Sequence, residues 1–235
     1  MFCRYVLRTL DVDAARAFFA EVAGLDFSTP AEQSGLEIFP LHEQARARGA
    51  PPHWLGHLAV SDVEKTAGRL VELGAERLGP TFKGRDGTSF ATFRDPVGAI
   101  VGLRESTPAP AQSPVAWHQL HTRDLVRAWS IYSDLFALEQ REVIESPDLE
   151  GGFRTFAWNG SGESVGSIAN TARWPGVHTH WLFYFPVADL DAALAVVLEK
   201  GGKALPPVTL PNGHRLAPCD DPQGTAFGLF SARAT

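Results

Sequence analysis

The chain repeats itself, and that repetition limits its fold more than any other feature. The segment Trp181-Leu-Phe-Tyr-Phe-Pro-Val-Ala-Asp-Leu190 lies over Trp54-Leu-Gly-His-Leu-Ala-Val-Ser-Asp-Val63 without a gap, matching at Trp, Leu, Val and Asp. Further along, Glu72-Leu-Gly-Ala75 meets Glu199-Lys-Gly-Gly202, and Leu78-Gly-Pro80 meets Leu205-Pro-Pro207. After one deleted residue, Gly87 falls on Gly213 and Asp95-Pro96 on Asp221-Pro222. Upstream, Arg8-Thr-Leu-Asp11 sits over His121-Thr-Arg-Asp124, and Ala17-Phe-Phe19 over Ser130-Ile-Tyr132. A duplicated chain builds one unit of structure twice. The halves are residues 1–105 and 115–232, and the Pro-rich stretch 106–114 between them reads as an extended linker.

Each half divides again, into modules 1–50, 51–105, 115–175 and 176–232. A short apolar strand (Tyr5–Thr9, Trp54–Val60, Trp117–Thr122, Trp181–Val187) runs into an Asp that can cap a helix. The helices carry apolar residues at helical spacing: Ala14, Ala17, Phe18 and Val22; Ala67, Leu70 and Val71; Trp129, Tyr132 and Leu135; Ala193, Val196 and Val197. Gly74 and Gly201 stop two of them. Strand-like pieces follow, including Phe90–Arg94, Phe153–Trp158 and Ala226–Phe230. The expected fold class is α+β: four βαβββ modules in two tandem halves, each half a cupped sheet with helices outside. The first module is compressed, because a polar, helix-prone HEQARARG stands where a further strand belongs.

Composition sets the outer limits. Hydrophobic residues at 44%, charged residues at 20% and a net charge of -6 fit an ordinary globular protein. They argue against a general nucleic-acid surface, which needs clustered Lys and Arg. Cys3 and Cys219 are the only cysteines and read as buried thiols. With no signal-peptide pattern and no apolar run of membrane-spanning length, the expectation is a cytoplasmic protein that contacts neither membrane nor nucleic acid. A small-molecule ligand is the expected partner, and a homodimer is left open.

Two copies of an Asp-Pro-x-Gly turn, Arg94-Asp-Pro-Val-Gly-Ala-Ile-Val-Gly-Leu103 and Asp220-Asp-Pro-Gln-Gly-Thr-Ala-Phe-Gly-Leu229, close the halves. These turns, the paired modules and the Phe/Tyr-bearing first helices resemble the vicinal oxygen chelate superfamily of glyoxalase I, extradiol dioxygenases and bleomycin-resistance proteins. Pro52-His-Trp54 and Trp117-His-Gln-Leu120 are similar to a tandem glyoxalase-like or hydroxylase-like branch, with Gln119 where Glu is commonest.

The resemblance implies a metal held by His or Glu seven residues before each helix-start Asp, and by Glu seven residues after the Asp of each Asp-Pro-x-Gly. Counting back gives Arg4, Leu55, Trp117 and Leu182; counting forward gives Gly102 and Gly228. None of these ligates a divalent metal, so the expectation is no metal and no cofactor. Alternation along the strands instead offers a ligand-binding set. Trp117, Gln119 and His121 share one face, and His180, Leu182 and Tyr184 share another, with Phe230 nearby. Arg4, Arg8 and His57 fall in the first half; the two Arg suit an anion, or simply pair with local acids. The expected function is binding of a small organic molecule in a cup. The alternative is a lyase or dioxygenase-type enzyme with relocated ligands: His121, His180 and Tyr184 would be its acid/base candidates, and His178 with His180 a non-standard metal pair. Trp54 and Trp181 read as core, Glu43–Arg48 as a solvated helix face, and residues 159–162 as a hairpin turn.

Overall fold

The computed structural model describes residues 1–84, 86–105, 113–158 and 162–233. Most of the linker and most of the 159–162 turn lie outside these residues. The first module comprises β1 (Phe2–Thr9), α1 (Val12–Ala23), the short α2 (Ala31–Ser34), β2 (Leu36–Pro40) and α3 (Glu43–Ala47). The second holds β3 (His53–Val60), α4 (Val63–Glu72), β4 (Glu76–Arg77), β5 (Phe82–Lys83), β6 (Ser89–Arg94) and β7 (Ile100–Glu105). The third holds β8 (Trp117–His121), α5 (Leu125–Phe136), β9 (Leu138–Ile144), β10 (Phe153–Trp158) and β11 (Gly166–Ala169). The fourth holds β12 (His180–Pro186), α6 (Leu190–Glu199), β13 (Lys203–Ala204), β14 (Val208–Thr209), β15 (Arg215–Asp220) and β16 (Ala226–Ser231).

One rule orders every module: its first strand pairs in parallel with its last. The pairs are β1 with β2, β3 with β7, β8 with β11 and β12 with β16. Antiparallel strands continue outward from the last strand in the later modules. In the first module β2 takes the closing position directly and α3 follows it, so the compression read from HEQARARG is real. The helix starts also follow the sequence. Asp11, Asp62, Asp124 and Asp189 each accept the backbone N–H three residues on, from Ala14, Lys65, Arg127 and Ala192.

The predicted helix faces need small rotations. Ala14 and Ala17 are exposed, because the bulk of Phe18 and Phe19 turns Ala15 and Val22 inward with them. Val71 is 49% exposed. Trp129 and Leu135 are half-buried, and the Arg154 guanidinium lies 5.1 Å from the Trp129 ring. Gly74 and Gly201 stand one residue past the caps with positive φ.

The chain forms two compact units, each drawing one module from each sequence half. One comprises Met1–Cys3, Gly56–Ala109 and His118–Trp181; the other comprises Arg4–Leu55, Pro110–Trp117 and Leu182–Thr235. In the first unit α4 faces α5 through Arg69 and Asp134 at 3.5 Å, and in the second α1 faces α6 through Glu21 and Lys200 at 2.8 Å. Both cysteines are buried thiols. Among the described residues, no helix is long and apolar enough to cross a membrane.

Candidate functional site

The parallel pairing of first and last strands explains the two blank glycines. Gly102 on β7 is in register with His57 on β3, and Gly228 on β16 with Tyr184 on β12. A Cβ at 102 would stand 2.2 Å from His57 Cδ2, and one at 228 would stand 2.1 Å from Tyr184 Cδ1. Each ring lies over its glycine and takes up the space a side chain would need. His57 and Tyr184 are equivalent in the repeat, so both halves build the same ring-on-glycine pair.

In the first unit β8 and β12 bring His121 and His180 together. Their rings stack at 4.7 Å and 18°, and His178, just ahead of β12, stacks on His180 at 4.4 Å. Nδ1 of His121 meets the Thr171 hydroxyl at 2.6 Å, and Nδ1 of His180 meets the His178 carbonyl at 2.8 Å. Nε2 of His121 is buried and has no hydrogen-bond partner among the described residues. Burial, then the neighbouring His180 and His178, push His121 down to about 3; burial, then His178, push His180 down to about 4.

Both rings are therefore neutral at neutral pH and regain an ordinary affinity near 6.5 on unfolding. The unfolded chain binds more protons between 6.5 and the folded values, so this contribution is complete above 6.5 and declines as pH falls. Buried His118, held near 4 by burial, adds in the same direction. Asp95 and Asp221, raised by burial, oppose it only below their own raised values. The melting temperature is expected to fall steadily between pH 7 and 5 in a buffer series; a flat profile would contradict these assignments.

In the second unit Trp117, Leu182, Tyr184 and Leu216 form one buried cluster, with half-buried Leu210, Ala226 and Phe230 against it. Burial raises the Tyr184 phenol and lifts the Cys219 thiol to about 12. Arg4 is buried and lies 3.7 Å from Glu37, while Arg8 sits over the Phe39 ring at 4.9 Å. The local acid is thus present for Arg4. Gln119 is buried on β8.

The sequence reading passed over Arg104, two residues beyond Gly102 and so on the same strand face. It is buried, donates to Asp86 at 2.7 Å, and lies 5.6 Å from the Phe90 ring, which meets His57 edge-on at 6.0 Å. Burial alone would raise Asp86, but hydrogen bonds from Arg104 and Thr88 outweigh it and hold the carboxyl at about 2.

These residues do not fit the metal that the resemblance implies. Its acidic positions are glycines with rings lodged over them, and its first-strand positions are Arg4, Leu55, Trp117 and Leu182. Among the described residues, no three His, Cys, Asp or Glu side chains are grouped to hold a metal ion. His121, His180 and His178 stack face to face instead of converging on a point.

Paired βα modules, each with first and last strands in parallel and closed in both halves by Asp-Pro-x-Gly, define a class of α+β proteins. Residues 4–101 match the Glyoxalase-like domain family, and residues 115–229 match the Glyoxalase/Bleomycin resistance protein/Dioxygenase superfamily. The chain belongs to the vicinal oxygen chelate superfamily, with two glyoxalase-family domains in tandem.

CFP32 of Mycobacterium tuberculosis, whose name assigns it provisionally to the glyoxylases, is 27% identical over 95% of this chain and 92% of its own. The anthracycline biosynthesis protein DauV of a Streptomyces species is 25% identical over 79% of this chain and 68% of its own. The fold is shared with the Mn(II)-bound glyoxalase of Novosphingobium aromaticivorans at TM-score 0.67 and 14% identity, covering 98% of this chain and 81% of that one. It is also shared with the 2,3-dioxygenase LapB of Pseudomonas sp. KL28, at 0.64 and 14%, covering 99% and 92%.

Proposed function

We propose that the chain binds a small, flat, largely apolar organic molecule and does so without the metal chemistry of its superfamily. The observation that carries this reading is the ring-on-glycine pair. Where the superfamily resemblance places an acidic ligand, His57 and Tyr184 occupy the space in both halves. What remains beside Gly228 is aromatic and aliphatic, as small-molecule sites generally are. The naming of DauV for anthracycline biosynthesis agrees with a flat organic ligand.

The test is elemental analysis of the purified protein together with a thermal-shift screen of aromatic metabolites and antibiotics. The expected result is metal well below one equivalent and stabilisation by a subset of flat compounds. Near-stoichiometric zinc, nickel or iron would overturn the metal-free reading, and a wholly silent screen would reduce the chain to a structural module.

A second reading has one observation in its favour. With both Nδ1 atoms engaged, His121 and His180 leave Nε2 as the atom able to take a metal or a proton. Turnover of a hemithioacetal or a catechol that chelators abolish, and that His121→Ala removes, would establish this enzyme instead.

A further inference from the structure

One row of side chains crosses the first unit from water inward. Phe82 on β5 is in register with Phe90 on β6, Phe90 with Arg104 on β7, and Arg104 with Ala59 on β3. Residues in register on paired strands share a face, so these side chains stand side by side. Phe82 is 52% exposed and stacks on Phe90 at 5.7 Å, while Phe90 and Ala59 are half-buried. Solvent therefore reaches the neighbours of Arg104 on both sides, although the Arg104 side chain itself is 8% exposed.

The repeat supplies a control. The same row in the second unit runs Val208, Leu216, Phe230 and Pro186, with no charge in it. Phe230 stands there in place of Arg104, so the row does not need a cation to fold. Nor does the neighbouring turn need an acid. Asp86 Oδ1 accepts the Thr88 N–H at 3.0 Å, and Asn212 Oδ1 accepts the His214 N–H at 3.2 Å at the equivalent place. A guanidinium in an otherwise apolar row demands oxyanions, because a buried charge is costly until it is paired. Asp86 Oδ2 meets it through Nη2 alone. Nε and Nη1 make no hydrogen bond to the described residues and are not sealed from solvent, so a fork edge stays open to a second carboxylate.

We infer that the first unit seats an aromatic carboxylate along this row. The ring lies on Phe82 and Phe90, and the carboxylate meets Arg104 at the inner end. The inference rests on the proposed binding of a flat organic molecule and adds the charge that molecule carries in this unit. Asp86 shares the guanidinium with the ligand, and its own charge holds the ligand's affinity down. Arg104 is a binding residue, and no bond is made or broken.

The test compares 2-naphthoate with 2-naphthamide, which match in size and differ in charge, by equilibrium dialysis against the full chain. Wild type is expected to hold the naphthoate about tenfold more tightly, the worth of a charge-assisted hydrogen bond. Asp86→Asn keeps the turn as Asn212 does in the second unit, and leaves Arg104 without its acid. The preference for naphthoate is expected to widen by about three- to tenfold in that variant, because the ligand then supplies the only countercharge. A 15N-arginine spectrum of the wild type gives a readout that no variant's folding affects. The Arg104 Nε resonance, assigned by its loss in Arg104→Lys, shifts with naphthoate and not with naphthamide. The preference, its widening and the shift are all required, and the absence of any one overturns the inference. If that happens while flat compounds still stabilise the protein in the thermal-shift screen, the carboxylate seat is wrong and binding stands. If the screen is silent as well, the proposed binding function falls with it.

Discussion

Gly228→Glu is expected to destabilise the protein by about 3–5 kcal/mol, a large part of the stability of an ordinary domain. Its first side-chain carbon would meet Cδ1, Cε1 and Cγ of Tyr184 at 2.1, 2.4 and 2.4 Å. Those are ring atoms of a side chain 2% exposed and packed among Trp117, Leu182 and Leu216, so the ring has no free rotamer to adopt. The carboxylate then adds the cost of burying a charge in apolar surroundings. Gly228→Ala isolates the steric part, at about 2–3 kcal/mol. Urea unfolding of Gly228→Ala, Tyr184→Ala and the double variant closes the cycle. With the ring gone, the added methyl should cost little, giving a coupling of about 1–3 kcal/mol between the two sites. If Gly228→Ala unfolds at the wild-type midpoint, the ring does not hold that space. Gly102→Glu should behave alike against His57, whose Cδ2, Cγ and Nε2 stand 2.2, 2.6 and 2.7 Å from the same position.

The ring-on-glycine pair also marks where sequence reasoning stopped. Gly102 and Gly228 were identifiable by counting from Asp95 and Asp221, because a turn and the strand after it are local. The rings over them were not, because parallel pairing joins strands separated by a whole helix and hairpin, and nothing local fixes that register. Helix starts were legible for the opposite reason: a capping Asp and its N–H lie within one turn. The buried arc of α1 was misjudged because alanine is compatible with either face, and the neighbouring Phe18 and Phe19 decide. Alternation put Trp117, Gln119 and His121 on one face of β8, and His180, Leu182 and Tyr184 on one face of β12. Alternation could not show that the two histidines stack with their Nδ1 atoms engaged, nor that Arg104 has Asp86 beside it. Those facts depend on partners from distant loops.

Tyr132→Phe, which removes a single oxygen, is expected to cost about 2–4 kcal/mol. That hydroxyl donates to Asp95 Oδ2 at 2.6 Å and accepts from Trp181 Nε1 at 2.9 Å, and all three residues are buried. Asp95 is the acid of the first Asp-Pro-x-Gly turn, and its other oxygen already accepts from Val97 and Ala99, so losing Tyr132 leaves a buried acceptor and a buried donor unmatched. The second unit has already made this substitution. Phe19 occupies the position that the repeat equates with Tyr132, and Trp54 and Asp221 correspond to Trp181 and Asp95. The ring geometry is kept: Phe19 meets Trp54 at 5.3 Å and 80°, against 5.1 Å and 79° for Tyr132 and Trp181. Trp54 Nε1 has no hydrogen-bond partner among the described residues, while the hydroxyl of Thr225, which replaces Ala99, sits beside the Asp221 carboxyl and works against the burial that raises it. Phe19→Tyr should therefore supply the missing bridge, gain about 1 kcal/mol and raise the melting temperature by about 2–4 °C. The pair of variants separates the bridge from mere ring packing, since each changes one oxygen and keeps its ring. Opposite shifts of Tyr132→Phe and Phe19→Tyr in urea midpoint are required. If Tyr132→Phe is neutral, or Phe19→Tyr destabilises as an overpacked core would, then packing alone holds both units and the hydroxyl is incidental.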